Sequence, residues 1–297
     1  MKKLRTAFFL LLGTSITLSC KHNNTFATEK SGKSLLWEIT GKGLKKPSYF
    51  LGTMHLMCAE DAVLSNNTMQ LIKDVKQIYL EIDMDNASEL FSGLMSMKSK
   101  SDKTLSSTLN EEDYNKVKAF FEKLQPNVPF SILEQQSPLM ISAGLYELLL
   151  PCEQKNGIEM KIIDEAYKQK KETKGLETIA FQSSLFDSIP YESQAKDLVK
   201  SIENLEKNRT AMEEMIRVYK DQDVEKLYNL SSNEESGVSN YMDLLLFKRN
   251  RNWINQFPGI AKNASTLFAV GAGHLGGEKG VLKLLKAEGY TVRAIVN

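Results

Sequence analysis

The chain has 297 residues, 42% of them apolar and 25% charged, enough to bury the core of one large soluble domain or two small ones. Lys plus Arg number 38 and Asp plus Glu 37, a formal net charge of +1. No global field of either sign arises, so nothing in the composition points to nucleic acid or an anionic membrane surface as partner.

Lys2, Lys3 and Arg5 precede an apolar run that opens Phe8-Phe9-Leu10-Leu11-Leu12 and reaches Leu18. Residues 1–19 therefore read as a secretory signal, too short for a membrane-spanning helix. Ser19-Cys20 resembles a lipoprotein cleavage box, although Thr17 stands where Leu is usual. On this reading Cys20 is acylated and the chain is exported to the cell envelope, anchored to a membrane on the periplasmic side or the cell surface. Plain secretion with cleavage nearby is the alternative. Residues 20–34, with His22, are polar and turn-rich, as in a flexible tether. Cys58 and Cys152 remain. In an oxidising compartment two leftover thiols often pair, so a Cys58–Cys152 disulfide and two isolated buried thiols stand as alternatives.

Strands are expected over 35–39 and 48–53, forming a hairpin across the turn 41–47. Apolar spacing predicts a helix over 61–75, and 77–83 (QIYLEID) reads as a strand. Strand, helix, strand suggests a βαβ unit and hence a parallel sheet. The middle reads as helical. Helices are expected over 89–98, from Asn110 to 124 with an Asn cap and acids in the first turn, over 138–150, 157–170, 193–220, 224–230 and 239–255, with a short strand at 173–176. At the end, 265–271 is a continuous apolar run typical of a buried parallel strand. A helix over 280–288 and a strand over 290–296 follow. The fold expected for 35–297 is α/β: a mixed, largely parallel central sheet built from both ends of the chain, helices around it, and a helical middle lobe inserted at about 89–255.

Chemistry gathers at two matching elements. Gly52-Thr53-Met54-His55 follows one apolar strand, and Gly271-Ala272-Gly273-His274 follows another. Each His lies just past the C-terminal end of a strand, the edge where open α/β sheets form ligand sites. Neutral imidazole is a common ligand for Zn, Mn, Fe or Co. Two imidazoles need at least one carboxylate to complete a typical catalytic metal site. Glu81 and Asp83 alternate with Leu80 and Ile82, so both should face one side of their strand, and Glu81 ranks first because it sits in the most apolar stretch. Glu177, ending its own short strand, could act as general base or further ligand. Arg249 could stabilise an oxyanion or grip a substrate carboxylate, or simply pair with Glu177 or Glu81. Gly52, Thr53, Gly273 and Asn250 are expected to meet substrate, the glycines because they let backbone approach a ligand closely. Gly276-Gly277-Glu278-Lys279-Gly280 lacks Walker spacing, so no nucleotide is expected.

These motifs, Tyr49-Phe50-Leu51-Gly52-Thr53-Met54-His55, Tyr79-Leu80-Glu81-Ile82-Asp83, Gly175-Leu176-Glu177-Thr178 with Gln182, Arg249-Asn250-Arg251-Asn252-Trp253 and Val270 to Gly277, resemble in order those of the TraB/GumN family, which includes the Tiki membrane proteases. The resemblance runs from Trp37 to Val296. It implies a fold similar to erythromycin esterases and haem-binding ChaN-like proteins, and a metal-dependent peptidase with two histidines and a carboxylate at its site. Gly157-Ile158-Glu159 departs from it, with Glu where Asp is expected. The function expected is metal-dependent hydrolysis of peptide bonds, with a divalent ion (Mn, Co, Zn or Fe) on His55, His274 and Glu81. A non-enzymatic peptide- or haem-binding protein and a metal-free His/Glu hydrolase are the alternatives.

Overall fold

The computed structural model describes residues 26–96, 102–125, 128–232 and 239–297. The signal segment, Cys20 and His22 lie outside them. Among the described residues no helix is long and apolar enough to cross a membrane.

In chain order come β1 (Leu36–Thr40), β2 (Ser48–Thr53), the two-residue β3 (Met57–Cys58), α1 (Asn66–Asp74) and β4 (Gln77–Ile82). A helical stretch follows: α2 (Ala87–Ser96), α3 (Leu105–Thr108), α4 (Glu111–Leu124), α5 (Phe130–Leu133) and α6 (Pro138–Leu149). Next are β5 (Lys155–Asn156), α7 (Ile158–Lys168), β6 (Thr173–Glu177), α8 (Ile179–Asp187), α9 (Tyr191–Glu203), α10 (Leu205–Lys220) and α11 (Val224–Ser231). A π-turn over Asp243–Phe247 leads into α12 (Lys248–Ala261), then β7 (Thr266–Gly271), a 3₁₀ turn at Ala272–His274, α13 (Val281–Ala287) and β8 (Thr291–Ala294).

The central sheet has six strands in the order β6-β4-β7-β2-β1-β8. β6, β4, β7 and β2 are mutually parallel, while β1 pairs antiparallel with both β2 and β8. The mixed, mostly parallel sheet made from both chain ends is as the sequence implies. One detail differs. β2 and β4 are not neighbours, because β7 enters between them and pairs with each. β2 is buried along its whole length and β7 up to its final Gly271, which is why both read as near-continuous apolar runs. Phe50 of β2, Phe268 of β7 and Tyr79 of β4 lie side by side in register and stack at 4.9 and 5.8 Å. Phe257 of α12 closes on Phe50 and Phe268 at 5.9 and 5.3 Å.

Several helix boundaries move for identifiable reasons. The helix expected over 61–75 starts only at Asn66, where the Ser65 hydroxyl accepts from Thr68 N at 3.0 Å and caps it. The single helix expected over 193–220 breaks at Asn204, whose Nδ2 and backbone N–H both donate to Lys200 O. A side chain that competes for that carbonyl marks the end of one helix, and the next begins without a side-chain cap. The helix expected to stop at residue 255 continues to Ala261 through Pro258, because Phe257 and Ala261 carry its buried stripe onward. The mini-sheet of β3 and β5 and helix α8 have no counterpart in the sequence reading.

The helices between β4 and β7 divide between two cores. Leu105, Val117, Phe121, Phe130, Ile141, Leu145, Tyr191 and Leu198 form a separate cluster. Val218 and Tyr219 of α10, Leu227 of α11 and Trp253 and Phe257 of α12 belong instead to the core on the sheet. Cys58 and Cys152 are joined by a disulfide across 94 residues, next to the pairing of Met57 with Asn156. A cross-link that restricts so long a loop in the unfolded chain contributes about 2–4 kcal/mol. Replacing both cysteines with Ala should lower the urea midpoint by the equivalent of about 2–4 kcal/mol, and reductant should shift the native chain likewise while leaving the double variant unchanged.

Candidate functional site

The four parallel strands end along one edge of the sheet, and each delivers a candidate residue there. His55 follows β2, Glu81 sits one residue before the end of β4, His274 closes the turn after β7, and Glu177 ends β6. Because β7 lies between β2 and β4, its histidine is brought to the other two. Glu81 stands two residues past Tyr79, on the face of the aromatic ladder. That face is covered by α12, whose residues at intervals of four follow the strands: Phe257 on the aromatic rings, Trp253 against the His274 ring at 4.5 Å, and Arg249 over the carboxylates.

Arg249 ties the site together. Its Nη2 donates to Glu81 Oε2 at 2.5 Å and its Nε to Glu177 Oε2 at 2.9 Å, all three side chains being at most 10% exposed. Nη1 donates to Leu245 O at 3.1 Å, in the π-turn, and lies 3.2 Å from His274 Nε2. The guanidinium carbon also sits 5.0 Å over the Trp253 ring. The structural pairing weighed from sequence for Arg249 is thus realised with both glutamates at once. Gln182 of α8 donates to Glu177 Oε2 at 3.2 Å and more weakly to Glu81 Oε2 at 3.5 Å.

The two histidines are oriented alike. Asn250 donates through Nδ2 to the carbonyls of His274 and Lys279, which leaves its Oδ1 to accept from His274 Nδ1 at 2.6 Å. Glu159, in the first turn of α7, accepts from His55 Nδ1 at 2.6 Å. Each Nδ1 therefore carries the bonded proton, and each Nε2 faces Glu81 Oε1, at 3.9 Å from His55 and 3.8 Å from His274. Glu81 Oε1 itself accepts from Gly271 N at 2.7 Å. A Cβ on Gly271 would lie 3.3 Å from Glu81 Oε1 and 3.5 Å from His55 Nε2, filling the space between them. Gly157 is more tightly constrained, since a Cβ there would meet His55 O at 2.5 Å. That close approach lets α7 bring Glu159 to the ring.

Environment separates the two imidazoles. Burial drives His274 down to about 3 and so keeps it neutral. Desolvation on its protein-facing side opposes the charged form of His55, but the Glu159 hydrogen bond and charge, with Glu81, outweigh it and raise the ring to about 9. Burial likewise opposes the Glu81 carboxylate, yet the charges of Arg249 and of a protonated His55, with the Gly271 amide, hold it below the ordinary carboxylate range. Glu159 is lowered in the same way, against burial, by His55. For Glu177 burial prevails over Arg249 and Gln182 and raises the carboxyl.

Of the residues expected from sequence, His55, His274, Glu81, Glu177, Arg249 and Asn250 come together. Asp83 does not. β4 ends at Ile82, so the alternation that would place Asp83 beside Glu81 stops one residue early, and its Oδ1 accepts from Asp85 N instead. Gly52 and Thr53 are buried, and the space a Gly52 side chain would need is taken by Leu275 and Ala272. They pack behind the site rather than facing a substrate. Gly273 is half-buried near Ser231, and Asn250 is buried beneath His274, where it orients the ring. Glu159 was visible only as a departure from a motif. Its position in the first turn of α7, after a glycine, is the one local signal that could have marked it.

Arg249→Leu should leave two buried carboxylates without their cation and cost about 3–5 kcal/mol. Adding Glu81→Gln and Glu177→Gln should restore part of that loss, which urea unfolding of the single and triple variants will read.

The family model described as the TraB/PrgY/gumN family matches residues 35–294. No curated protein and no solved structure matches the chain. The motifs that carry His55, Glu81, Glu177, Arg249 and His274 all fall within the matched span, and the chain belongs to the TraB/PrgY/gumN family.

Proposed function

We propose that the chain is a hydrolase of peptide bonds that uses a divalent ion held by Nε2 of His55, Nε2 of His274 and Oε1 of Glu81. One observation carries this reading: both Nδ1 atoms are fixed by acceptors, and both Nε2 atoms face the same carboxylate oxygen. Metal-ligating histidines are held in this manner, with the far nitrogen bonded to a carboxylate or carbonyl oxygen. Gly271 leaves room between the donors. The donor separations of 3.8 and 3.9 Å exceed the roughly 3.4 Å expected between two ligands of a tetrahedral ion, so the donors must close by a few tenths of an ångström. Charge favours a cation as well. With His55 neutral as a ligand, the carboxylates of Glu81 and Glu159 outnumber the single charge of Arg249 among the described residues around them.

Such an ion supplies Lewis acidity, polarising the scissile carbonyl and strengthening water as a nucleophile at neutral pH. The chain's own groups do the rest. Glu159 and Asn250 aim the rings. Arg249 balances Glu81 and Glu177, and its Nη1 must turn from His274 Nε2 before that lone pair is free. Glu177, raised by burial, is suited to hold a proton. Export and acylation at Cys20 belong to the same proposal, and the Cys58–Cys152 disulfide supports it because such bonds persist in oxidising compartments.

A second reading keeps the reaction without the ion. It is favoured by the 3.2 Å approach of Arg249 Nη1 to His274 Nε2, and by the spacing: among the described residues no three His, Cys, Asp or Glu side chains stand close enough to hold a metal ion as they are. His55 is then the acid–base group and Arg249 the electrophile.

Elemental mass spectrometry of the chain lacking residues 1–20 separates the two. The proposal expects near-stoichiometric divalent metal in the native chain, loss of it in His55→Ala and in His274→Ala, and an affinity about 10–100-fold weaker in Glu159→Gln. Peptide cleavage should stop on chelation and return with the ion. No metal after reconstitution with Mn, Co, Zn or Fe, with cleavage that survives exhaustive chelation, overturns the ion in favour of the second reading.

A further inference from the structure

A cleft of about 470 Å³ opens between α2, α6 and α8 at the end of β4. Ile82, Leu90, Met140, Ile179 and Phe186 supply its apolar walls. Gln182 also lines it, and the same amide donates to Glu177 and Glu81. The cleft and the charged cluster therefore share a wall, and Ile82 follows Glu81 directly in the chain. α8 has no fully buried residue, and Leu90 and Phe91 of α2 and Phe181 of α8 are exposed. Apolar surface left open beside a polar reacting centre is the usual construction of a small-ligand site.

We propose that this cleft is a specificity pocket that takes one large apolar side chain of the substrate, aliphatic or aromatic, next to the bond positioned at His55, Glu81 and His274. The assignment rests on the hydrolase reading for the bond that is cut, but not for the binding itself. Met140, on α6 and outside the charged cluster, is a wall residue whose size can be changed without touching that cluster. Among the described residues of the lining, Asp187 is the charged one, so a cationic side chain is the competing occupant. Removing one Leu or Phe side chain from water is worth about tenfold to a hundredfold in affinity.

Binding can be read without turnover in the His55→Ala background of the mature chain. The probes are fluorescently labelled hexapeptides identical except for one central residue, Leu, Phe, Ala, Asp or Lys, followed by anisotropy. The Leu and Phe peptides should bind at least tenfold more tightly than the Asp and Lys peptides. Met140→Trp, which fills the pocket, should remove that margin at unchanged thermal midpoint, and Met140→Ala should shift preference from Leu toward Phe. Equal affinity for all five peptides, a preference for Lys, or a preference untouched by both Met140 variants overturns the proposal. If the chain with His55 intact cleaves none of the five while the preference and its Met140 dependence hold, the hydrolase reading fails and the pocket stands.

Discussion

β7 hydrogen-bonds to β2 on one side and to β4 on the other, and the site exists only because of that insertion. The two Gly-x-x-His elements are far apart in the chain, and neither could reach Glu81 from a strand at the edge of the sheet. With β7 at the centre, the ends of β2, β7, β4 and β6 stand in a row about 5 Å apart, the spacing of neighbouring strands. The row sits where carbonyl groups and loops converge at the C-terminal edge, the position at which doubly wound sheets build their sites. The pairing therefore couples folding to function. The central strand cannot dock until the end of the chain is available, and the histidine pair is complete only when it has docked.

The same sheet dictates how a buried charge cluster is tolerated. Two carboxylates at the end of apolar strands would be expelled or protonated without a cation beside them. α12 supplies that cation by periodicity. Phe257 anchors on the stacked rings of Phe50 and Phe268, Trp253 one turn earlier covers His274, and Arg249 one turn earlier again reaches Glu81 and Glu177. The π-turn at Asp243–Phe247 lies immediately before Arg249, and the Leu245 carbonyl within it accepts from Arg249 Nη1. Such widened turns recur at functional sites because they re-aim the side chains that follow. The aromatic ladder and the charged cluster are two ends of one packing interaction.

Much of this was legible in the sequence where a local signal matches its tertiary role. β2 and β7 read correctly because a strand buried on both faces is apolar throughout, and the paired Gly-x-x-His elements marked both histidines because glycine, strand end and imidazole adjoin in the chain. Strand order was not legible. The β2–α1–β4 pattern suggests adjacent strands, and nothing in those residues says that a strand more than 180 positions later will separate them. Asp83 was misplaced because alternation was carried one residue past the end of β4. Glu159 escaped because its partner, His55, lies 104 residues away, and only the close approach at Gly157 creates the contact. The break at Asn204 and the persistence of α12 through Pro258 show the same competition: a polar side chain overrode helical periodicity in one case, and a buried stripe overrode a breaker in the other.

The two histidines differ in a way that sets the direction of approach to the site. The His274 side chain is 6% exposed and is enclosed by Trp253, Arg249 and Asn250. The His55 side chain is 65% exposed and is held by Glu159. A molecule that approaches from solvent meets His55 first, with Glu81 behind it and His274 as the fixed rear wall. The segment that fixes His55 is itself tied to the chain around it by Ile158 N donating to Met54 O, by the β3–β5 pairing and by the Cys58–Cys152 bond. The solvent-facing histidine, which lacks a core to hold it, is thus held by backbone hydrogen bonds, a covalent link and one carboxylate. The buried histidine needs only packing and an amide. Each ring receives the restraint its exposure leaves it without, and both arrive with Nε2 directed at the same oxygen.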